Sequence, residues 1–199
     1  MSVAETEEVK TEEQRDPEQE ARRRLALAQI RQYPDPVLRM RAREVDSFDD
    51  DLVRLAERMR GLMRDAAGVG LAATQVGVLR RLFVFQRSSD DEEHEEPETF
   101  AVVNPEIVER SEETEVDDEG CLSLQGVHVP VERNLRITVE GVDERGEPVH
   151  HELDALAARA VQHEIDHLDG TLILDRTTDE ARREALGTLR PRPALDRLA

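Results

Sequence analysis

The sequence predicts an α+β fold, with mostly antiparallel β-sheets packed around one central helix. Three observations carry this expectation. Residues 51–65 place apolar side chains at helical spacing, a series of short β-type segments fills the middle of the chain, and a second helical stretch follows at 155–168. Helices and strands segregate instead of alternating, which is the pattern of an antiparallel sheet covered by helices. The 199 residues suffice for one domain with a real core plus tails.

Residues 1–24 are acidic and then basic at Arg22, Arg23 and Arg24. The segment 1–29 is therefore expected to be a disordered or loosely helical extension. Pro34 and Pro36 make the next stretch extended or turning. Leu52, Leu55, Ala56, Met59, Leu62 and Met63 then recur every three or four residues, and Ser47 is the expected cap of that helix. Residues 68–77, G-V-G-L-A-A-T-Q-V-G, are glycines and small residues that let the backbone approach a substrate or another main chain closely. A phosphate loop would need a lysine here and a preceding strand, and has neither.

Residues 81–86 have strand composition, 90–98 form an exposed acidic loop, and 100–109 are extended with a bend at Asn104-Pro105. Strands are expected at 127–131 and 135–142, then a turn over 143–146 into a return strand at 149–153. Asp154 is the expected cap of the final long helix and Gly170 its stop. Residues 172–174 read as a short strand, and the polar tail 178–199 can form one more helix before Pro191.

The net charge is −19, of which residues 1–20 and 90–98 contribute −6 and −7. Such a balance argues against DNA, RNA or an anionic membrane as a partner. No apolar run is long enough to span a bilayer. The polar N-terminus gives no secretory signal, and the single cysteine, Cys121, fits a reducing compartment, so a cytoplasmic location is expected.

The stretch 161–170, V-Q-H-E-I-D-H-L-D-G, carries the chemistry. His163 and His167 are four apart, so a helix puts both imidazoles on one face within reach of one divalent metal. Glu164 stands beside the first ligand and can take a proton from a metal-bound water. Such sites usually use three protein ligands, and Cys121, in E-G-C-L-S-L, is a strong third candidate brought in by tertiary folding. Its plainer role is that of a small buried hydrophobe. Gln75 is the polar side chain with useful donors in the glycine-rich stretch, and an ordinary surface glutamine is the alternative.

Three segments line up in order: G-V-G-L-A-A-T-Q at 68–75, E-G-C-L-S at 119–123 and Q-H-E-I-D-H at 162–167. Together they resemble the three motifs of the peptide deformylase family, and the likeness covers most of the chain. The resemblance implies a catalytic domain over 30–177. It implies Cys121, His163 and His167 as metal ligands and Glu164 as general acid and base. Gln75 and the Leu122 N–H would stabilise the oxyanion. Val69 and Gly70 would meet the substrate, with Gly68 and Ala160 near a methionine pocket.

Glu119 and Arg133 would pair behind the ligands, where two solvated surface charges are the alternative. The family removes the formyl group from the initiator methionine of nascent polypeptides, by attack of a metal hydroxide, and releases formate. Its metal is usually Fe²⁺, and ligand softness also admits Zn²⁺, Ni²⁺ or Co²⁺. Formyl-Met nascent peptides and a transient ribosome contact are the implied partners. Gln125 and His128 depart from the residues many members carry, which bears on peptide preference beyond methionine.

Two rival readings share parts of this pattern. A zinc peptidase would take its third ligand downstream, where Asp169 and Asp175 stand, and would tolerate loss of Cys121. A non-catalytic binding protein on the same scaffold would have shed a ligand, Glu164 or Gln75, and this chain retains all of them.

Overall fold

The structure, a computed structural model, describes residues 16–87 and 97–189. Residues 1–15, most of the expected acidic loop and residues 190–199 lie outside these. Within the segment expected to be a disordered or loosely helical extension, Pro17–Leu27 form helix α1, started by Asp16, whose side chain accepts from the Glu18 N–H (3.2 Å). Its last turn joins the core: Ala26 and Leu27 are buried, as is Ile30 beyond it. Only that last turn is apolar, so no helical periodicity marks the element in the sequence.

Helix α2, Asp50–Asp65, starts from Asp49 and not from Ser47. The Asp49 carboxylate accepts from the Leu52 N–H at 3.0 Å. A cap must reach the second or third helical N–H, and Ser47 lies too far upstream for that.

Five strands form one sheet in the order β1-β2-β3-β6-β7: β1 Gly70–Ala72, β2 Leu82–Arg87, β3 Glu98–Arg110, β6 Arg136–Val142 and β7 Pro148–Asp154. Strands β4, Thr114–Gly120, and β5, His128–Asn134, make a separate hairpin. Every pairing between these strands is antiparallel. The expected bend at Asn104 is a register shift in β3; Asn104 has φ +51° and its side chain bonds both the N–H and C=O of Val45 at 2.8 Å.

Strand β2 shows how the sheet divides the core. Leu82 and Val84 pack with Leu52, Met59 and Met63 of α2, whereas Phe83 and Phe85 pack on the opposite face with Val161 and Leu168. Alternate side chains of a strand point to opposite faces, so one strand builds two cores. Full burial of each such side chain contributes roughly 1.5–3 kcal/mol.

The second core contains α3, Ala155–Leu168, the helix that carries the two histidines. Asp154 precedes it, but its side chain makes no capping hydrogen bond, contrary to the sequence expectation. The other end is closed as expected: the Gly170 N–H donates to His167 O (3.1 Å) and the Thr171 N–H to Asp166 O (2.9 Å). This is a Schellman stop, with Gly170 at φ +74°.

Residues 172–174 are not a strand. Ile173–Arg176 form a helical turn, α4, in which the Leu172 N–H donates to the Asp175 carboxylate (2.8 Å). An apolar run of three is too short to fix a period, and the local Asp175 bond selects the turn. Helix α5, Asp179–Leu189, follows in the tail and buries Ala185 beside β5 and α4. Among the described residues no helix is long and apolar enough to cross a membrane.

Gly170 has a tertiary reason as well as a conformational one, because a Cβ there would sit 2.6 Å from the Arg39 carbonyl oxygen. Gly170→Ala is expected to lower stability by about 1–3 kcal/mol through the left-handed conformation alone, with the crowding adding to it. Urea unfolding of the two chains measures the difference.

Candidate metal centre

Helix α3 presents His163 and His167 one turn apart, with ring centroids separated by 4.9 Å. Cys121 arrives from the hairpin, directly after β4, and its Sγ is 3.2 Å from His167 Nε2. One potential ligand atom from each of the three residues lies within 4.8 Å of the other two, and no other such group of His, Cys, Asp and Glu occurs among the described residues. Asp169 and Asp175 stand apart from it: Asp169 accepts from Arg81 (2.7 Å), and Asp175 pairs with Arg39 and the Leu172 N–H. The downstream third ligand of a peptidase is therefore absent from this cluster.

Glu119 organises the back of the site. It is 5 % exposed. Arg133 donates to it through Nε (2.8 Å) and Nη2 (3.0 Å), Arg159 through Nη1 (2.9 Å), and His163 Nδ1 lies at 3.1 Å. Burial opposes its charge, yet His163 and Arg133 hold its carboxyl down at about 2. With its proton on Nδ1, shared with Glu119, His163 keeps the Nε2 lone pair for a cation. Burial disfavours charge on both imidazoles. On His163 the neighbouring thiol and Glu119 outweigh it and the pKa rises; on His167 burial prevails and the pKa falls. One thiol and two imidazoles, backed by an ionised carboxylate, are a donor set suited to a single divalent ion.

Glu164 lies 4 % exposed beside this set. Before any cation is counted, burial pushes its carboxyl up to about 7, with Glu119 adding to the rise. Its Oε2 is buried with no hydrogen-bond partner among the described residues, which leaves an acceptor for a water or a substrate N–H. Gly70 makes room for it: a Cβ there would come within 2.8 Å of Glu164 Cγ and 2.9 Å of Cδ. A Cβ at Gly68 would likewise come within 2.7 Å of Leu122 Cδ1. The glycine-rich segment does approach something closely, but its neighbours are side chains of the site.

Gln75 is 1 % exposed. Its Oε1 accepts from the Ala72 N–H (2.8 Å), which turns Nε2 toward Ser123 Oγ (3.1 Å) and Cys121 Sγ (3.7 Å). Leu122 is pinned through its carbonyl by Gln32 Nε2 (3.0 Å), and Ser123 O accepts from the Tyr33 N–H (2.9 Å). The Leu122 N–H has no partner among the described residues. Val69 is 38 % exposed and sits on the wall of a cleft of about 1070 Å³ that holds none of the donors.

Ser123, Gln32, Arg159 and Asp166 were not singled out by the sequence. Asp166 accepts from Arg133 Nη1 (2.7 Å) and from Arg176 Nη2 (2.6 Å) and Nε (3.0 Å). Arg159, Gln162, His163 and Asp166 all face the hairpin, a polar stripe at helical spacing beside the apolar side formed by Ala158, Val161, Ile165 and Leu168. That stripe runs through a ligand histidine, and this was the available signal.

A Cys-His-His donor set with a buried carboxylate beside it defines a metal-dependent hydrolase class. More specifically, the chain belongs to the polypeptide deformylase family, whose pattern matches residues 27–183. It is 47 % identical over 156 residues to a peptide deformylase of Thermotoga sp. (strain RQ2), covering 78 % of this chain and 90 % of that one. It is 43 % identical over 167 residues to peptide deformylase 1 of Corynebacterium glutamicum, covering 83 % and 96 %. The crystal structure of peptide deformylase from Ehrlichia chaffeensis superposes with a TM-score of 0.74 at 32 % identity, over 81 % of this chain and 93 % of that one.

Gly70→Ala is expected to displace the Glu164 carboxyl. A displacement of about 1 Å costs on the order of 100-fold in rate, while metal stoichiometry stays at the parent level. Steady-state kinetics beside metal analysis of the same preparation checks both.

Proposed function

We propose that this chain removes the N-formyl group from the amino-terminal methionine of newly made polypeptides, using one divalent cation held by Cys121, His163 and His167. The observation that carries this reading is the convergence of those three donors beside the buried, half-unpartnered Glu164. A bound cation of this kind polarises a carbonyl oxygen and acidifies a water. The remaining work falls to side chains of the chain itself. Glu164 takes a proton from the water that adds to the formyl carbon. It returns a proton to the amine nitrogen as the C–N bond breaks, so formate and a free amino terminus leave. Gln75 Nε2 and the Leu122 N–H donate to the carbonyl oxygen as negative charge gathers there, and the bonds that fix both residues keep those donors oriented.

Strand β1 is an edge of the sheet, and Gly70 lies on it. An extended peptide can pair along that edge, with Val69 and Gly70 nearest the methionine. Catalysis is assigned to the body over 30–177, on which α1 and α5 pack, with 1–29 and 178–199 as flanking segments. Fe²⁺ is the cation proposed for the cell; the mixed thiolate and imidazole donors also suit Zn²⁺, Ni²⁺ or Co²⁺. A cytoplasmic enzyme meeting its substrate in transient contact with the ribosome fits this reading. The acidic balance of the chain makes RNA an unfavourable partner in such an encounter.

Chain loaded anaerobically with Fe²⁺, Zn²⁺ or Ni²⁺ is expected to release formate from a formyl-Met peptide. Glu164→Ala should retain one metal per chain and lose about 100- to 10,000-fold in turnover. Stoichiometric metal with no formate from any of the three preparations would refute the assignment.

A further inference from the structure

Arg159 lies one helical turn before His163 on α3 and is 8 % exposed. Its guanidinium is spent on three acceptors. Nη1 donates to Glu119 Oε1 and to Val131 O, both at 2.9 Å, and Nη2 donates to Glu115 O at 2.9 Å. Val131 is on β5 and Glu115 on β4, so one side chain grips the main chain of both strands of the hairpin. It also grips the carboxylate that orients His163.

The ligands are split between two bodies. His163 and His167 belong to α3, whereas Cys121 follows β4 on the hairpin. The other ties from α3 to the hairpin main chain run from Gln162 to Asn134, at the end of β5. Asp166 holds the hairpin through the Arg133 side chain. Among the described residues, Arg159 is the link from α3 to the main chain of β4, the strand that leads into Cys121. A planar guanidinium with separated donors can hold three acceptors at once, and an ammonium on a flexible stem cannot match that geometry.

We propose that Arg159 is a positioning residue for the metal centre. It fixes the hairpin bearing Cys121 against the helix bearing both histidines, and it acts through Glu119 as well as through the strand carbonyls. This rests on the reading of Cys121, His163 and His167 as ligands of one cation. Removing the guanidinium frees the hairpin to shift relative to α3 and leaves Glu119 to Arg133 and His163 alone. The three donors then no longer meet at one fixed separation.

The test is Co²⁺ binding to the full chain, followed by chelator competition and by the thiolate-to-Co²⁺ absorption band, for the parent, Arg159→Met, Arg159→Lys, Glu119→Gln and the Met/Gln double variant. Arg159→Met is expected to weaken Co²⁺ binding about 10- to 100-fold, the usual effect of losing a partner behind a metal ligand, and to shift the band. Arg159→Lys, which keeps the charge and loses the fork, is expected to fall between the two, and it carries the test if the Met variant does not fold. In the Glu119→Gln background the Met substitution should cost markedly less than alone, because both changes act on one unit. Parent-like affinity and absorption in Arg159→Met, or in Arg159→Lys should that be the variant that folds, would overturn the proposal. So would costs that simply multiply in the double variant. Failure of the parent itself to take up one Co²⁺ would instead sink the ligand assignment on which the proposal stands.

Discussion

The buried carboxylate of Glu119 is the interaction on which the rest of the site depends. An isolated carboxylate at that depth would be strongly disfavoured. It persists because two guanidiniums and an imidazole surround it. In return it sets the orientation of His163, gives Arg133 and Arg159 a common anchor, and connects the hairpin to the helix. Asp166 repeats the device a turn further along, joining Arg133 to Arg176. A buried ionic cluster of this kind is not the route to greatest stability, since apolar residues of similar volume often do as well or better. What it supplies here is a defined relation between two pieces of chain that must present ligands to the same point.

Helix α3 is shaped by this double duty. One side carries Ala158, Val161, Ile165 and Leu168 and packs on the five-stranded sheet with Phe83 and Phe85. Another carries Arg159, Gln162, His163 and Asp166 and bonds the hairpin. The sheet buries the helix and excludes water, while the hairpin supplies the polar partners that burial then demands. The glycine-rich segment completes the enclosure, because Gly70 and Gly68 leave the volume that Glu164 and Leu122 occupy. Catalytic potential thus follows from packing: the carboxyl of Glu164 is raised by the same enclosure that holds the donors together.

Much of this was legible in the sequence, and the parts that were not share a cause. The His163–His167 spacing, the bounds of α3, its glycine stop and the strands β2, β3, β5, β6 and β7 follow from local periodicity and turn chemistry, whereas β1 and β4 were not read as strands. Cys121 was a candidate third ligand by its chemistry, and resemblance assigned it and Gln75 to the site, since no local rule brings Gln75 to Cys121 or Cys121 to His167, each pair 46 residues apart. The cap at Asp49, the turn at Ile173–Arg176 and the helix Pro17–Leu27 were misread or left undecided. Each rests on a single side-chain bond or one apolar turn, below the length that a period can register. Arg159 and Asp166 were passed over for a different reason. Charged residues on a helix read as a solvated face unless the opposing surface is known, and here that surface is a hairpin more than twenty residues away in sequence.

The most direct test of the account is X-ray absorption at the metal edge of the loaded full-length chain. Cys121, His163 and His167 acting together predict one sulfur scatterer at about 2.3 Å and nitrogen or oxygen scatterers at about 2.0–2.1 Å for zinc, with the sulfur lost in Cys121→Ser. A first shell without sulfur in the parent chain would contradict it, and would mean that the thiol beside His167 belongs to the core and not to the metal.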